Sequence, residues 1–251
     1  MSDQLDAGRL RTVLGARPYR FERQIGSTND VAREWALKGA PHGSVVVADE
    51  QVAGRGRFGR PWSAPPGTAL LMSVILRVNN TQVQRLTMLG AVAVAEALDP
   101  IVPGQVRLKW PNDVLLAGRK VAGILPEAIW QSDKIMAVVL GMGINVRVDF
   151  AATPLDGRAV SVEPVAGRAV NRAELLAAVL ARIDYWMIRI AALHETWRRR
   201  LSTLGQQVTV RAENSTIVGQ ALDVDENGAL ILQALDGTIH QIIAGEVTLS
   251  G

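Results

Sequence analysis

The sequence contains no cysteine, no long apolar run and little excess charge of either sign. The absence of cysteine excludes disulfides, a thiolate nucleophile and cysteine-ligated zinc. No apolar stretch approaches the roughly 20 residues that a membrane span needs. The first segment, MSDQLDAGRLRTVLGARPYR, carries charges throughout and has no apolar centre, so it lacks the pattern of a secretory signal. We therefore expect a cytoplasmic protein that does not enter a membrane.

The charge pattern does not favour a nucleic-acid partner. The 251 residues carry a net charge of +3, and the basic residues are dispersed apart from clusters at 55–60 and 198–200. Proteins that bind nucleic acid more often present a wide basic face. The composition is that of an ordinary globular protein, and the length suits one large domain with a small appendage.

Apolar patterning predicts an α/β (α+β) protein followed by a small β domain. Apolar runs of strand length occur at 44–49, 68–78, 120–130 and 134–146. Helices are predicted at 4–15, 26–40, 87–99 and 171–201, the last as one long helix or two joined. Shorter strands are predicted at 19–25 and 106–110, and a long loop at 150–170. Beyond Gly205, short strands alternate with turn signals such as Glu226-Asn227-Gly228. We predict a ligand-binding domain at 1–204 and a five-stranded β domain at 205–251.

The segment QVAGRGRFGRPW, residues 51–62, contains the pattern G-x-G-x-x-G at Gly54, Gly56 and Gly59. In a dinucleotide-binding fold this pattern opens a helix, because the pyrophosphate lies at the helix N-terminus. Three prolines between positions 61 and 66 prevent a helix here, and the acidic ribose-binding residue expected downstream is absent. The pattern therefore does not indicate a dinucleotide site.

The same loop still has the chemistry of an anion site. Glycine lets the backbone approach a ligand closely, and arginine donates in a fixed fork that fits phosphate or carboxylate. The alternative is a solvated surface loop, but three arginines so close together repel one another unless something neutralises them. Lys109, Lys120 and Asn145 lie at or near strand ends, where ligand sites of α/β proteins gather.

Five segments, in this order, resemble the catalytic domain of the biotin–protein ligases. They are GSTND (26–30), EQVAGRGRFGRPW (50–62), LKWPNDVLL (108–116), GRKVAGILPE (118–127) and GMGINV (141–146). The resemblance covers about residues 20–150, and the C-terminal segment containing GEV is similar to the small SH3-like domain of the family. It implies a mixed central sheet flanked by helices, like that of class II synthetases, with an SH3-like β-barrel at the C-terminus.

The family activates biotin with MgATP to biotinyl-5′-AMP, and then transfers biotin to one lysine of the biotin carboxyl carrier domain of a biotin-dependent carboxylase. The resemblance therefore implies biotin as substrate, ATP and Mg²⁺ as co-substrate and activator, and no prosthetic group. Both a monomer and a homodimer are compatible with it.

The resemblance also implies roles for the residues that match the family motifs. The residues implied to hydrogen-bond the biotin ureido ring are Ser27, Thr28 and Asn29, with Gln51 beside the biotin. The residues implied to close over the biotin carboxylate and the adenylate phosphate are Arg55, Gly56 and Arg57, with Lys109 bridging the two groups. The residues implied on the nucleotide side are Arg57, Arg60, Trp62, Lys120 and Asn145. Arg57 and Lys109 are the implied catalytic residues, and no protein group is implied as a metal ligand.

The chemistry of the first step agrees with these residue types. A carboxylate attacks an α-phosphate, so two anions meet while negative charge develops, and catalysis needs mostly positioning and preorganised cations. No nucleophile from the protein is required, because the acceptor amine belongs to the partner.

Three alternatives or departures remain open at the level of sequence. A lipoate or octanoate–protein ligase has a related fold and similar chemistry, although GRGRFGRPW with KWPND favours biotin. A non-catalytic biotin sensor is the second alternative, and the presence of Arg57 and Lys109 favours catalysis. Some family members carry an N-terminal helix-turn-helix domain, but only about twenty residues precede the first matching strand here. We therefore expect a monofunctional ligase without specific DNA binding, and tight operator binding in a gel shift would contradict this.

Overall fold

The computed structural model describes residues 5–212 and 215–249. Its α-helices are α1 (Ala7–Leu14), α2 (Thr28–Leu37), α3 (Leu86–Leu98), α4 (Val162–Ala166), α5 (Arg172–Met187) and α6 (Leu193–Arg200). The first seven strands are β1 (Tyr19–Ile25), β2 (Val45–Gln51), β3 (Ala69–Leu76), β4 (Val106–Lys109), β5 (Asp113–Leu116), β6 (Arg119–Gln131) and β7 (Lys134–Asn145). The last five are β8 (Gln207–Ala212), β9 (Ser215–Val224), β10 (Leu230–Ala234), β11 (Ile239–Ile242) and β12 (Glu246–Leu249). Within these ranges, no helix is both long and apolar enough to cross a membrane.

The central sheet has seven strands in the order β1-β2-β3-β7-β6-β5-β4. Strands β1 and β2 are parallel and the other pairs are antiparallel. Every residue of β3 is buried, as its unbroken apolar run predicts for a strand covered on both faces. The predicted mixed central sheet is therefore confirmed.

Helix α3 is buried on almost every side, because it packs against the central sheet and is itself covered by α5 and α6. This explains why its sequence lacks a polar face. The region predicted as one helix or two joined forms two, α5 and α6, separated by a short 3₁₀ turn. Two short elements escaped prediction: β5, which is only four residues long, and α4, which lies within the predicted loop at 150–170.

Helix α2 packs on the central sheet, and its first residues lie over β3 and β6. Ala32 and Ala36 pack in a cluster with residues of the sheet. At its other end, Arg77 of the segment after β3 donates hydrogen bonds to the carbonyl oxygens of Ala36 and Ala40. The carbonyls at a helix C-terminus lack partners within the helix, so these bonds satisfy them and anchor that end. The first residues of α2 are thereby fixed in position.

The C-terminal strands form an antiparallel sheet in the order β11-β10-β9-β8-β12. Trp110, which follows β4, joins this sheet to the central one. Its indole is buried and donates from Nε1 to the carbonyl oxygen of Gly228 at 2.8 Å, and its backbone N–H donates to the Thr203 hydroxyl at 3.0 Å. The two sheets are therefore connected beside Lys109.

Replacing Trp110 with phenylalanine should destabilise the protein by about 1–3 kcal/mol, because it removes one buried hydrogen bond and leaves unfilled volume. Urea unfolding of both proteins measures the difference. Replacement of the exposed Trp130 by phenylalanine is the control, and we expect it to change the free energy of unfolding by less than about 0.5 kcal/mol. Equal effects of the two substitutions would contradict a structural role for the Trp110–Gly228 bond.

Candidate active site

A large cavity opens where strand ends of the central sheet meet the loop at 52–63 and the C-terminal sheet. Its volume is about 600 Å³, which is within the range of small-molecule sites. All twelve site residues predicted from the sequence line it, namely Ser27, Thr28, Asn29, Gln51, Arg55, Gly56, Arg57, Arg60, Trp62, Lys109, Lys120 and Asn145. They come from four separate regions of the chain, and the cavity is where these regions converge.

One end of the cavity is an uncharged hydrogen-bonding cluster, the polar corner, formed by Ser27, Thr28, Asn29, Gln51 and Ser73. The Gln51 Oε1 atom accepts from the backbone N–H and the hydroxyl of Thr28 at 2.7 and 2.9 Å. The Ser73 hydroxyl oxygen, on β3, lies 2.7 Å from Thr28 Oγ1 and 2.6 Å from Asn29 Oδ1. Ser73 is fully buried and was not predicted as a site residue, since it falls in an apolar run. The polar corner is therefore preorganised by contacts within the protein.

The three residues at the start of α2 differ in how they are engaged. The amide of Asn29 is held on both sides: Oδ1 contacts Ser73, and Nδ2 donates to Glu127 Oε2 at 2.8 Å. Ser27 is the N-cap residue of α2, yet its side chain makes no capping hydrogen bond. The Ser27 hydroxyl therefore remains available to a ligand, whereas the Asn29 amide has its partners already.

The guanidinium of Arg55 is paired with two carboxylates. It donates to both oxygens of Asp30, at 2.8 and 2.5 Å, and to Glu127 Oε1 at 3.3 Å. The hydrogen bond with Arg55 holds the pKa of the Asp30 carboxyl below its ordinary value, and the same bond raises the pKa of the arginine. Arg55 lines the cavity while its charge is paired with these carboxylates, and its contact with the biotin carboxylate or the adenylate phosphate stays a prediction.

Arg57 and Lys109 have a different environment, because neither touches a carboxylate within the part of the chain that the structure describes. Arg57 Nη1 donates to the carbonyl oxygen of Gly245 at 3.0 Å and to Asn112 Oδ1 at 3.5 Å, which are neutral acceptors. Burial lowers the pKa of this guanidinium. The ammonium of Lys109, at the end of β4, makes no hydrogen bond or ion pair with a described residue. Both cations would be stabilised by an incoming anion.

The aromatic side of the cavity is built on Trp62. Its ring lies against Gly143 of β7, where an added Cβ would be 2.5 Å from Trp62 Cε2, and against Gly123 of β6. Lys120 Nζ lies 5.6 Å from the centroid of this ring and 2.6 Å from Asp113 Oδ1. The indole Nε1 is buried without a hydrogen-bond partner among the described residues. The two glycines therefore make a flat floor on which the ring rests, with a free donor at its edge.

Several cavity residues were missed from the sequence. Phe150 and Leu155 come from the segment predicted only as a loop, and Gly245 and Glu246 come from the C-terminal sheet. Glu246 forms a bidentate ion pair with Arg60. The only sequence signal for it was the segment GEV in the resemblance, which assigned no residue there to the site. The C-terminal sheet thus closes one wall of the cavity.

The ion pair between Arg60 and Glu246 should contribute to stability in a pH-dependent way. The Arg60 hydrogen bond holds the Glu246 pKa below its ordinary value of 4.5, so its contribution is present above pH 4.5 and is lost as the pH falls through the lowered pKa. Both side chains are partly exposed, so we expect Glu246→Gln to lower the free energy of unfolding by at most about 1 kcal/mol at pH 7. Urea unfolding at pH 7 and at acidic pH measures this. A difference that persisted with the carboxylate protonated would contradict it.

Two protein-family models match the chain. The Biotin/lipoate A/B protein ligase family matches residues 21–145, and the Biotin protein ligase C terminal domain matches residues 203–250. A biotin–[acetyl-CoA-carboxylase] ligase of Mycobacterium tuberculosis is 37% identical over 261 residues, which cover 97% of this chain and 95% of that protein. The chain belongs to the biotin protein ligase family.

Other biotin protein ligases match over most of this chain. The bifunctional ligase/repressor BirA of Bacillus subtilis is 33% identical, and the match covers 96% of this chain and 76% of that protein. The structure of a biotin protein ligase from Aquifex aeolicus in complex with biotin and ATP has a TM-score of 0.79 and 29% identity, and covers 93% of this chain and 98% of that one. The fold predicted from the resemblance to biotin protein ligases is therefore confirmed.

Proposed function

We propose that the cavity carries out both steps of protein biotinylation, with a biotin carboxyl carrier domain of a carboxylase as the acceptor. The enzyme is an ATP-dependent, AMP-forming biotin–protein ligase. It activates biotin to biotinyl-5′-AMP with release of pyrophosphate, and then transfers the biotinyl group to a lysine amine with release of AMP. The observation that carries this proposal is the convergence, in one cavity, of an uncharged polar corner with the cations Arg57 and Lys109.

The polar corner suits the ureido ring of biotin. A ureido group is neutral and has both hydrogen-bond donors and an acceptor, and the Ser27 hydroxyl, the Thr28–Gln51 pair and the nearby loop backbone can complement it. A dithiolane ring or an unbranched octanoyl chain offers no hydrogen-bond partner to the Ser27 hydroxyl, which makes no capping bond, and covering that hydroxyl unpaired would be unfavourable. This favours biotin over lipoate or octanoate.

The cations suit the adenylation step. The biotin carboxylate and the ATP α-phosphate repel each other as they approach, and Arg57 and Lys109 provide positive charge that no carboxylate of the described residues contacts directly. A protein that only sensed biotin would not bring the ATP α-phosphate beside the biotin carboxylate. It would therefore not need these two cations at that place. The retained charges therefore support catalysis over sensing.

Trp62, Lys120 and Asn145 suit the nucleotide. The Trp62 ring offers an apolar face and a buried free N–H, and Asn145 lies buried nearby at the end of β7. Mg²⁺ accompanies the ATP and supplies further positive charge at the phosphates. Within 5–212 and 215–249, no three acidic or histidine side chains group to hold a metal ion, so in this proposal phosphate oxygens and water hold it.

The transfer step needs no nucleophile from the protein. The amine nitrogen of the acceptor lysine attacks the acyl carbon of biotinyl-5′-AMP, the bond from that carbon to the phosphate oxygen breaks, and AMP leaves with the negative charge while the amine loses a proton. A closed loop at 54–61 would protect the mixed anhydride from water before the acceptor arrives.

Exchange of labelled pyrophosphate into ATP tests the proposal, with biotin, lipoate or octanoate added as the acid. We expect exchange with biotin alone, followed by labelling of a carrier domain on addition of biotin and MgATP. Exchange with lipoate or octanoate instead would assign the chain to the related ligases. Biotin binding by a folded protein without any exchange would establish a sensor and overturn the proposal.

A further inference from the structure

The polar corner and the arginine-rich loop are joined by one continuous hydrogen-bonded chain. It runs from Arg55 to Glu127, from Glu127 to the Asn29 amide, and from Asn29 through Ser73 to Thr28. Glu127 lies on β6 outside the cavity lining, and its carboxylate contacts both Arg55 of the loop and Asn29 of α2. No catalytic step described above uses it.

We propose that Glu127 is a positioning residue for biotin, which acts by fixing the side-chain amide of Asn29. This inference rests on the proposed function, because biotin is taken as the ligand. The carboxylate can only accept hydrogen bonds, so it forces the NH₂ group of Asn29 to face it and the Oδ1 atom to face Ser73. With its single proton donated to Asn29 Oδ1, the Ser73 hydroxyl can bind Thr28 Oγ1 only as an acceptor, so it competes with Gln51 Oε1 for the proton of the Thr28 hydroxyl.

The packing around Asn29 favours this orientation of its side-chain amide. Asn29 is buried, and an added Cβ at Gly141 directly beneath it would lie 2.3 Å from Oδ1. If the amide rotated by half a turn, its NH₂ would face Ser73 and its oxygen would face the Glu127 carboxylate, where two acceptors would repel each other. The Glu127 carboxylate at 2.8 Å, together with the Leu125 carbonyl oxygen at 3.4 Å from Nδ2, therefore selects one orientation of the Asn29 amide.

The ion pair between Arg55 and Asp30 completes the arrangement. Arg55 neutralises part of the negative charge of Asp30 and Glu127, and its guanidinium holds the beginning of the loop against α2. The side chain of Arg55 therefore serves as an anchor, and the Asn29 amide serves as a relay rather than as a ligand of the ureido ring.

The test compares Glu127→Ala with the conservative Glu127→Gln in biotin-dependent pyrophosphate exchange. The alanine variant leaves Asn29 without its charged acceptor, and we expect the KM for biotin to rise about tenfold, with the KM for ATP and the kcat at saturating biotin within about twofold of the original. Glutamine keeps an acceptor oxygen for Asn29, so this variant should recover most of the affinity. The control is Glu34→Gln, because Glu34 is an exposed carboxylate on α2, the helix that carries Asn29.

A double-mutant cycle with Asn29→Ala separates the relay from a general structural role. If Glu127 acts through Asn29, Glu127→Ala should have little further effect on the KM for biotin once Asn29 is replaced. Additive effects, equal losses in the alanine and glutamine variants, or a matching rise in the KM for ATP would overturn the inference. Exchange by the original protein tells the two proposals apart: its absence refutes the ligase function, whereas its presence with an unaltered Glu127→Ala variant refutes only the positioning role.

Discussion

Replacement of Lys109 by methionine is expected to lower the rate of biotin-dependent pyrophosphate exchange by about 10²–10³-fold, the loss typical of removing one preorganised charge from a developing anion. Methionine keeps much of the length of the side chain but not its charge. Because the Lys109 ammonium has no hydrogen bond or ion pair among the described residues, its removal leaves no carboxylate unpaired, and stability should change by less than about 1 kcal/mol.

The matched control for Lys109 is Arg107, two residues earlier on β4. It is exposed, lies outside the cavity lining, and donates to the carbonyl oxygens of Gly104 and Val106. Arg107→Met removes one positive charge from the same strand and should leave exchange within about twofold of the original. An equal loss of activity in both variants would mean that the net charge of this region, and not the position of Lys109, governs the reaction.

Replacing either of two glycines on one strand by alanine should raise a KM, but for a different substrate in each case. Gly141 and Gly143 lie two positions apart on β7, so they face the same side of the sheet. A Cβ at Gly141 would meet Asn29 Oδ1 at 2.3 Å, and a Cβ at Gly143 would meet Trp62 Cε2 at 2.5 Å. Contacts so short require the neighbouring side chain to move.

Gly141→Ala should raise the KM for biotin at least about tenfold and destabilise the protein by about 1–3 kcal/mol, because Asn29 is buried and hydrogen-bonded on both sides and cannot yield without losing those bonds. Gly143→Ala should instead raise the KM for ATP, because the displaced Trp62 ring belongs to the proposed nucleotide side. Initial rates measured against each substrate, with thermal unfolding, check the pair. A rise in the KM for ATP caused by Gly141→Ala would contradict the assignment of the two ends of the cavity.

The secondary structure followed from sequence where a pattern was long, and failed where it was short. The apolar run of β3 and the unpatterned apolar helix α3 were both predicted, since burial on all sides leaves no polar face. Strand β5 was not predicted, because its four residues are too few to show the alternation of apolar and polar residues that marks a strand. Helix α4 has five residues and lies in a segment rich in proline and glycine, which hid it within a predicted loop.

The candidate site shows the same division. Local motifs identified the glycine–arginine loop and the lysine at the end of β4, because their residue types and spacing are contained in short segments. Ser73 and Glu246 gave no such signal. Serine in a buried strand and glutamate in a C-terminal sheet are ordinary residues until a distant partner is brought beside them.

By itself, the sequence determined the chemistry that the chain can offer: no thiol, a loop that can approach and bind anions, a lysine at a strand end, and the motifs of a biotin protein ligase. The tertiary structure decided which charges remain free for a ligand. Arg55 is paired with Asp30 and Glu127, which are 25 and 72 positions away, and Arg60 with Glu246, which is 186 positions away. Arg57 lies between them in the chain, and its hydrogen bonds to described residues go to neutral acceptors. The reason is physical: a residue's type sets its charge, but the neutralisation of that charge depends on contacts that only folding creates.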